Sequence, residues 1–338
     1  WGNSDSGNKQ VTFKAYDASN GKLYPIVEPK NASPIVFVSD DVFGDFANPV
    51  VLQTSDKMQQ SINLNEGWSW ISVNVKLEDS LVENVMEPIV ENVLYVKSKT
   101  AYSVVENGKW HGNLSTINHS EMYKVQMDAE TVLDVIGESA ANEPITLNKG
   151  WTWIGYNSSM IMSLGDAFAN ANSLDGDIVK SRDRFAIYDG YEWVGNLTAM
   201  TPGCGYIYKS NDNKKTFVYP STISSSRGVV AEQKVDNLFA SDYPNNMNVI
   251  AVVKDGDAVV ENAAVEVYAD NSLRGVSNQS VVDNKHFMTI YGDKSAERLT
   301  FNVVVDDIIY EVENTISFSE DAVVGTLDNP YIIQLNND

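Results

Sequence analysis

Residues 62–126 recur at 145–209 with a constant offset of 83 positions and no gap. A folding unit of about 83 residues is therefore present twice, and any fold of this chain has to accommodate two copies in tandem. Ile62-Asn63-Leu64-Asn65-Glu66-Gly67-Trp68-Ser69-Trp70-Ile71 answers Ile145-Thr146-Leu147-Asn148-Lys149-Gly150-Trp151-Thr152-Trp153-Ile154, and Lys97-Ser98 answers Lys180-Ser181. Trp110-His111-Gly112-Asn113-Leu114 answers Trp193-Val194-Gly195-Asn196-Leu197, and Tyr123 answers Tyr206. Tryptophan, glycine and an alternating apolar pattern recur, whereas histidine, cysteine and a fixed acid do not. A packing or binding module repeats in this way; a catalytic centre does not.

A second duplication joins the two ends. Tyr291-Gly292, Leu299-Thr300-Phe301, Phe318, Gly325 and Asn329-Pro330-Tyr331-Ile332-Ile333-Gln334 are echoed, with small gaps between blocks, by Trp1-Gly2, Val11-Thr12-Phe13, Phe37, Gly44 and Asn48-Pro49-Val50-Val51-Leu52-Gln53. The stretch from Asn246 to Ile290 has no counterpart before Trp1. Residues 1–54 are thus expected to be the second half of a β-sandwich whose complete version is 244–338. Such a half leaves strand edges open and an apolar face uncovered. Its completion is expected from an adjacent domain of a longer tandem polypeptide, or from a strand-donating chain.

The local pattern is that of a mainly β protein. Short alternating runs such as Val11-Thr12-Phe13-Lys14-Ala15-Tyr16 fill 1–54. Repeat 1 spans 55–137 and repeat 2 spans 138–220, each reading β-α-β-β-β-β and hence as a β-rich α+β unit. The strand Trp68–Val73 puts Trp68, Trp70 and Ser72 on one face and Ser69, Ile71 and Val73 on the other. Leu81, Val85, Met86, Ile89 and Val90 have helical spacing, with Pro88 marking an end or kink. Leu164 and Phe168 lay a matching but shorter stripe in the second copy. A Ser-rich connector occupies 221–243. Strand signals every 8–12 residues over 244–338 predict an immunoglobulin-like β-sandwich.

Composition removes several classes. With a formal net charge of −22, the chain repels phosphate backbones and anionic lipid, which argues against nucleic-acid partners. No apolar run approaches the roughly 20 residues that span a bilayer, so no membrane insertion is expected. The single cysteine, Cys204, precludes an internal disulfide framework and is expected to be a small core residue.

The pattern Tyr243-Pro244-Asn245-Asn246-Met247-Asn248-Val249-Ile250-Ala251, followed by Val267-Tyr268-Ala269, Leu273-Arg274-Gly275, Thr289-Ile290-Tyr291-Gly292, Val324-Gly325 and Asn329-Pro330-Tyr331, resembles a tandem β-sandwich module of large secreted and cell-surface proteins of the Bacteroidetes. Where those modules often read Cys-Arg-Gly, this chain has Leu273-Arg274-Gly275. The Gly-Trp-x-Trp repeats look like companion modules of the same kind of protein. The resemblance implies a modular secreted or surface-attached protein, exported by that group's outer-membrane route, and it transfers no catalytic residue.

Motifs for chemistry are missing. His111, His119 and His286 are scattered, and Val194 stands where a duplicated His111 would be. The sequence has no His-Glu-x-x-His, Gly-x-Ser-x-Gly, phosphate-cradling or Cys-x-x-Cys motif. No cofactor is expected. Calcium is the one ion considered, at the acidic turns Leu174-Asp175-Gly176-Asp177 and Lys254-Asp255-Gly256-Asp257, which read more simply as Asp-Gly turns. The tryptophan pairs Trp68, Trp70, Trp151 and Trp153 are expected in the core. Trp110 and Trp193, beside turn residues, are the better candidates for exposure, and with Tyr191, Tyr102 and Phe185 they form the candidate ligand-binding set, since a flat ring can cover the apolar face of a sugar. The expected function is a non-catalytic stalk, adhesive or ligand-binding segment of an extracellular or surface protein, with a glycan or surface protein as partner. The alternative is a carbohydrate-binding accessory region of a larger secreted hydrolase.

Overall fold

The computed structural model describes residues 9–19, 22–30, 33–55, 57–221, 242–277, 281–282 and 284–335. The Trp1-Gly2 echo and almost all of the Ser-rich connector lie outside them. The protein is mainly β, built from antiparallel sheets with single helical turns between them. Residues Phe13–Asp17, Lys22–Pro29 and Leu52–Thr54 make one three-stranded sheet in that order.

Each repeat carries a five-stranded sheet of the same strand order. In the first, the order is Gly67–Ser72, Met122–Met127, Val93–Lys97, Tyr102–Glu106, Lys109–Gly112. In the second it is Gly150–Ile154, Tyr206–Ser210, Ile178–Lys180, Phe185–Tyr188, Trp193–Gly195. The recurring residues are those that fix this geometry. Gly112 and Gly195 bring their backbones so close to the neighbouring strand that an added Cβ would lie 2.2 Å from the Tyr102 carbonyl oxygen and 2.3 Å from that of Phe185. The asparagines that follow, Asn113 and Asn196, accept from the Tyr102 and Phe185 amides at 3.0 and 2.9 Å. The Tyr123 and Tyr206 hydroxyls accept from the Asn118 and Thr201 amides at 2.7 Å each.

The helical stripes are one turn long, Val82–Val85 and Leu164–Ala167. Pro88 opens a 3-10 stretch over Glu87–Asn92, so it sets the break foreseen from its ring. In the second copy Ser163 caps the turn, its Oγ accepting from the Asp166 amide at 3.1 Å. These turns close the inner side of each sheet, where Ile71, Val73, Val96, Tyr123 and Val125 form one core and Ile154, Tyr156, Val179, Tyr206 and Tyr208 the other.

The two repeats meet across a pseudo-two-fold seam. The Ser72 amide donates to the Gly203 carbonyl at 3.1 Å, and the Gly155 amide donates to the Ser120 carbonyl at 3.0 Å. Those four positions are exchanged by the 83-residue offset, as an isologous interface requires. Trp70, Met122, Trp153 and Ile207 pack together there. The second ring of each Gly-Trp-x-Trp motif, Trp70 and Trp153, is thus buried, but between modules rather than inside either module's own core, while Trp151 is half-buried.

The C-terminal residues form two facing sheets. One is ordered Ala258–Val259, Asn245–Asp255, Lys285–Gly292, Val281–Val282, with Val323–Val324 and Tyr331–Leu335 pairing parallel to Asn245–Asp255. The other is ordered Ser272–Val276, Ala264–Ala269, Arg298–Val305, Ile308–Ser317. Their alternating inward residues, among them Val249, Val265, Val267, Ile290, Phe301 and Ile333, make a common core.

Candidate functional site

Strand register places equivalent residues of the two repeats on equivalent outer faces. In the first sheet Trp70, Lys124, Lys97 and Tyr102 form one cross-strand row, and Trp68, Gln126, Tyr95, Val104 and His111 the next. In the second sheet the rows are Trp153, Ile207, Lys180, Phe185 and Trp151, Lys209, Ile178, Ile187, Val194. The candidate residues Tyr102 and Phe185 therefore occupy the same position in the two copies.

The second repeat's face is covered. Ile178, Phe185, Ile187, Trp151 and Val194 pack on Ile250, Phe287, Val323 and Leu327 of the C-terminal sandwich. Phe185 is fully buried, its ring centroid 5.4 Å from that of Phe287, which removes it from the ligand-accessible set. The Asn196 amide group reaches across to the Phe287 carbonyl at 3.2 Å.

Beside this apolar patch two lysines are buried completely. Lys180 Nζ donates to Asn246 Oδ1 at 2.7 Å and pairs with Asp321. Lys124 Nζ donates to Asn245 Oδ1 at 2.9 Å and to Glu320 at 3.3 Å. Their ammonium groups also sit over indoles, Lys124 at 4.7 Å from Trp70 and 4.8 Å from Trp153, and Lys180 at 5.1 Å from Trp151. Removing an ammonium from water costs several kcal/mol. The carboxylates and ring faces offset that cost only while both modules stay docked. The sequence showed the Lys97/Lys180 recurrence; the signal it offered for burial was a lone lysine between apolar strand neighbours, as in Tyr123-Lys124-Val125 and Val179-Lys180.

Burial pushes the Lys124 ammonium down to about 8, against the opposing pull of Glu320 and Asp321 and with added repulsion from Lys97 and Lys180. The unfolded chain holds this proton up to its ordinary value of 10.5, so between about pH 8 and 10.5 it binds more protons than the folded chain. Stability of the junction is accordingly expected to rise with pH through that window, and Lys124→Met should flatten the rise. Urea unfolding of both proteins at pH 7, 8.5 and 9.5 checks the sign; a fall over that range in the parent would contradict it.

On the corresponding face of the first repeat Trp70 and Lys124 are buried, but the end that carries Tyr102 and His111 is open. Tyr102 is 48% exposed and lies parallel to Tyr95, centroids 5.5 Å apart at 7°. Tyr95 in turn meets the edge of Trp68 at 5.5 Å. His111 is exposed, and Gln126 and Lys97 are half-buried beside the rings. The result is an aromatic strip with polar neighbours.

The remaining candidates separate. Trp110 is half-buried, packs against its own repeat's core, and lines a shallow cleft of about 230 Å³ with Leu81, Glu83 and Ser115. Trp193 is half-buried among Phe168, Tyr188 and Tyr208. Neither is the open ring that turn proximity suggested, because each packs one side against its own repeat's core. Tyr191 is 91% exposed at a turn tip, with no ring contact to the strip. Cys204 is exposed rather than a core residue: its backbone pairs with Ile71 at the seam and its side chain faces a cleft of about 270 Å³ lined also by Asn63, Trp70, Arg182 and Arg184.

At the first acidic turn, the buried Asp177 carboxylate accepts from the Leu174 and Asn211 amides at 3.0 and 2.8 Å and from the Tyr208 hydroxyl at 2.7 Å. Gly176 there has φ +79°. The second turn is a hairpin, Lys254 opposite Val259 and Asp255 opposite Ala258. Both carry the backbone role that Asp-Gly supports. Among the described residues no three His, Cys, Asp or Glu side chains are grouped to hold a cation, and no helix is long and apolar enough to cross a membrane. His286 is buried against Ser277, at 3.0 Å, with burial lowering its basicity.

Compared with known proteins, the chain matches no family model and no curated sequence.

Proposed function

We propose that this chain is a non-catalytic binding segment of a modular secreted or surface-attached bacterial protein, and that it presents the outer face of the first repeat as its ligand-binding surface. One observation carries the reading: position 102 is open where its duplicate, position 185, is sealed under another domain. The open copy has exchanged Ile178, Phe185 and Val194 for Tyr95, Tyr102 and His111. Aromatic rings with polar tips keep a solvent-facing surface soluble and still offer apolar area to a partner. The acidity of the chain and its resemblance to surface modules support an extracellular setting.

The parallel Tyr95 and Tyr102 rings favour a carbohydrate as ligand, as in an accessory region of a larger secreted hydrolase. A pyranose can lay its C–H face on such a platform while Gln126, Lys97 and His111 meet its hydroxyls. Double substitution Tyr95→Ala with Tyr102→Ala is expected to weaken binding on a glycan array by about 10-fold or more, the loss of roughly 1.5 kcal/mol of contact. The melting temperature should shift little, since Tyr102 is half in solvent. Unchanged binding would move the ligand elsewhere. Hydrolytic turnover by the purified chain, abolished by one point substitution, would overturn the non-catalytic reading.

A further inference from the structure

Lys180, Asn246 and Asp321 come from three separate segments and meet out of solvent where the second repeat joins the C-terminal sandwich. Lys180 is fully buried and Asn246 is 1% exposed. The indoles of Trp70 and Trp151 stand 5.8 and 5.1 Å from the Lys180 Nζ. That nitrogen donates to Asn246 Oδ1 at 2.7 Å. The side-chain carbonyl carbon, Cγ, lies one C=O bond of about 1.2 Å beyond this oxygen, so it stands no further than about 3.9 Å from the nitrogen. Reacting atoms need to come within about 3–3.5 Å, which a small rotation of either side chain achieves.

The amide is held for such an approach. Asn246 Nδ2 donates to the Arg182 carbonyl at 2.6 Å and to the Ser181 carbonyl at 3.3 Å. Those two acceptors fix the amide plane and stabilise positive charge that grows on this nitrogen as it leaves. Asp321 is tied to the same residue, its backbone amide donating to the Asn246 carbonyl at 3.0 Å. Its carboxylate pairs with the Lys180 ammonium. A buried amine, an adjacent amide and a carboxylate that can carry protons between them are the groups that amide exchange requires. Burial also pushes the Lys180 ammonium below its ordinary value, against the pull of Asp321 and Glu320, which favours the nucleophilic free amine.

We propose that Lys180 and Asn246 join in an intramolecular amide bond that locks the second repeat to the C-terminal sandwich, with Asp321 as general acid and base. The ion pair described above is the state before reaction. Asp321 takes a proton from the Lys180 ammonium, and the freed Nζ lone pair attacks Asn246 Cγ while the carbonyl π pair moves onto Oδ1. Asp321 then passes its proton to Nδ2 and takes a second one from Nζ. As the Cγ=O bond re-forms, the Cγ–Nδ2 bond breaks and its electron pair leaves with the nitrogen as ammonia, which collects the proton from Asp321. One Nζ–Cγ bond is formed, one ammonium ion is released, and no oxidant or co-substrate is consumed. A single self-modification is not turnover, so it goes beyond the proposed binding function without resting on it. The neighbouring Lys124 also donates to an amide, that of Asn245, and to a carboxylate, Glu320. The Glu320 side chain is 39% exposed, however, against 20% for Asp321, so water solvates it and holds that pair as ions.

Intact mass spectrometry of the purified full chain, denatured at intervals during incubation at neutral pH, reads the reaction. The mass should fall by one ammonia per chain, and proteolysis should release a branched peptide joining Lys180 to Asn246. Asp321→Asn should slow the loss by about 100-fold or more. Lys180→Met, which needs no counter-ion, should fold and keep its full mass. A parent chain that keeps its full mass overturns the proposal, as does Asp321→Asn reacting at the parent rate. A deficit that maps to a cyclic imide at Asn107-Gly108, or to a branch between Lys124 and Asn245, also overturns it.

Discussion

Asp321→Ala is expected to weaken the junction between the second repeat and the C-terminal sandwich by about 3–5 kcal/mol, because it leaves a buried ammonium without its counter-ion. Lys180 is fully buried; apart from the added charge of Glu320, with which it makes no hydrogen bond, its other partners, the Asn246 oxygens and the indoles of Trp70 and Trp151, are neutral. Cation–π contacts of about 0.5–2 kcal/mol each do not replace a carboxylate that has already been desolvated. The test is a double-mutant cycle with Lys180→Met. The single Asp321→Ala change should carry the large penalty, and adding Lys180→Met should recover most of it, since an apolar side chain of similar length needs no counter-ion. Hydrogen exchange in Ile178–Lys180 and Asn245–Asp255 reads the junction directly, without assuming that a multi-module chain unfolds in one step. A cost under about 1 kcal/mol for Asp321→Ala would mean that water reaches the ammonium.

Trp153→Ala should be comparably damaging, at about 3–5 kcal/mol, with its effect concentrated on the seam between the repeats. Trp153 packs with Trp70, Met122 and Ile207 and faces the Lys124 and Lys97 ammonium groups at 4.8 and 5.7 Å. Its removal leaves a cavity on one side of the pseudo-two-fold and deprives Lys124 of a ring face. Tyr191→Ala, at an exposed turn tip, is the control and should lie within about 0.5 kcal/mol of the parent. Urea titration followed by fluorescence of the remaining tryptophans compares the two. If Trp153→Ala and Tyr191→Ala behaved alike, the seam would not be a structural interface.

Much of the architecture was legible because it depends on short-range constraints. Gly112 and Gly195 report a close backbone approach, Asn113 and Asn196 a side-chain-to-backbone bond, and Asn107-Gly108 a turn with positive φ at both residues. Such features act over a few residues and survive duplication. The face on which each tryptophan lies was equally plain from strand alternation. What that face meets was not. Alternation says that Trp68 and Trp70 lie opposite Ile71, but not that the Trp70 side is closed by a second sheet and Lys124. Cys204 was misread for the same reason, since a small residue in a Gly-Cys-Gly run gives no sign that its backbone will be held at a module seam.

The candidate binding residues divide along that line. Tyr102 and Phe185 are equivalent by sequence, and no local property of either strand explains why one is open. The sequence alone determined the repeated unit, the succession of its strands through turns and glycines, and which side chains share a strand face; the order of those strands in the sheet came from the tertiary structure. Only tertiary packing decided which copy of the outer face is occupied, because that depends on where the C-terminal sandwich finds a complementary surface. The contacts that hold it there join residues more than sixty positions apart, with Lys180 meeting Asn246 and Asp321, and such pairings leave no periodic trace along the chain.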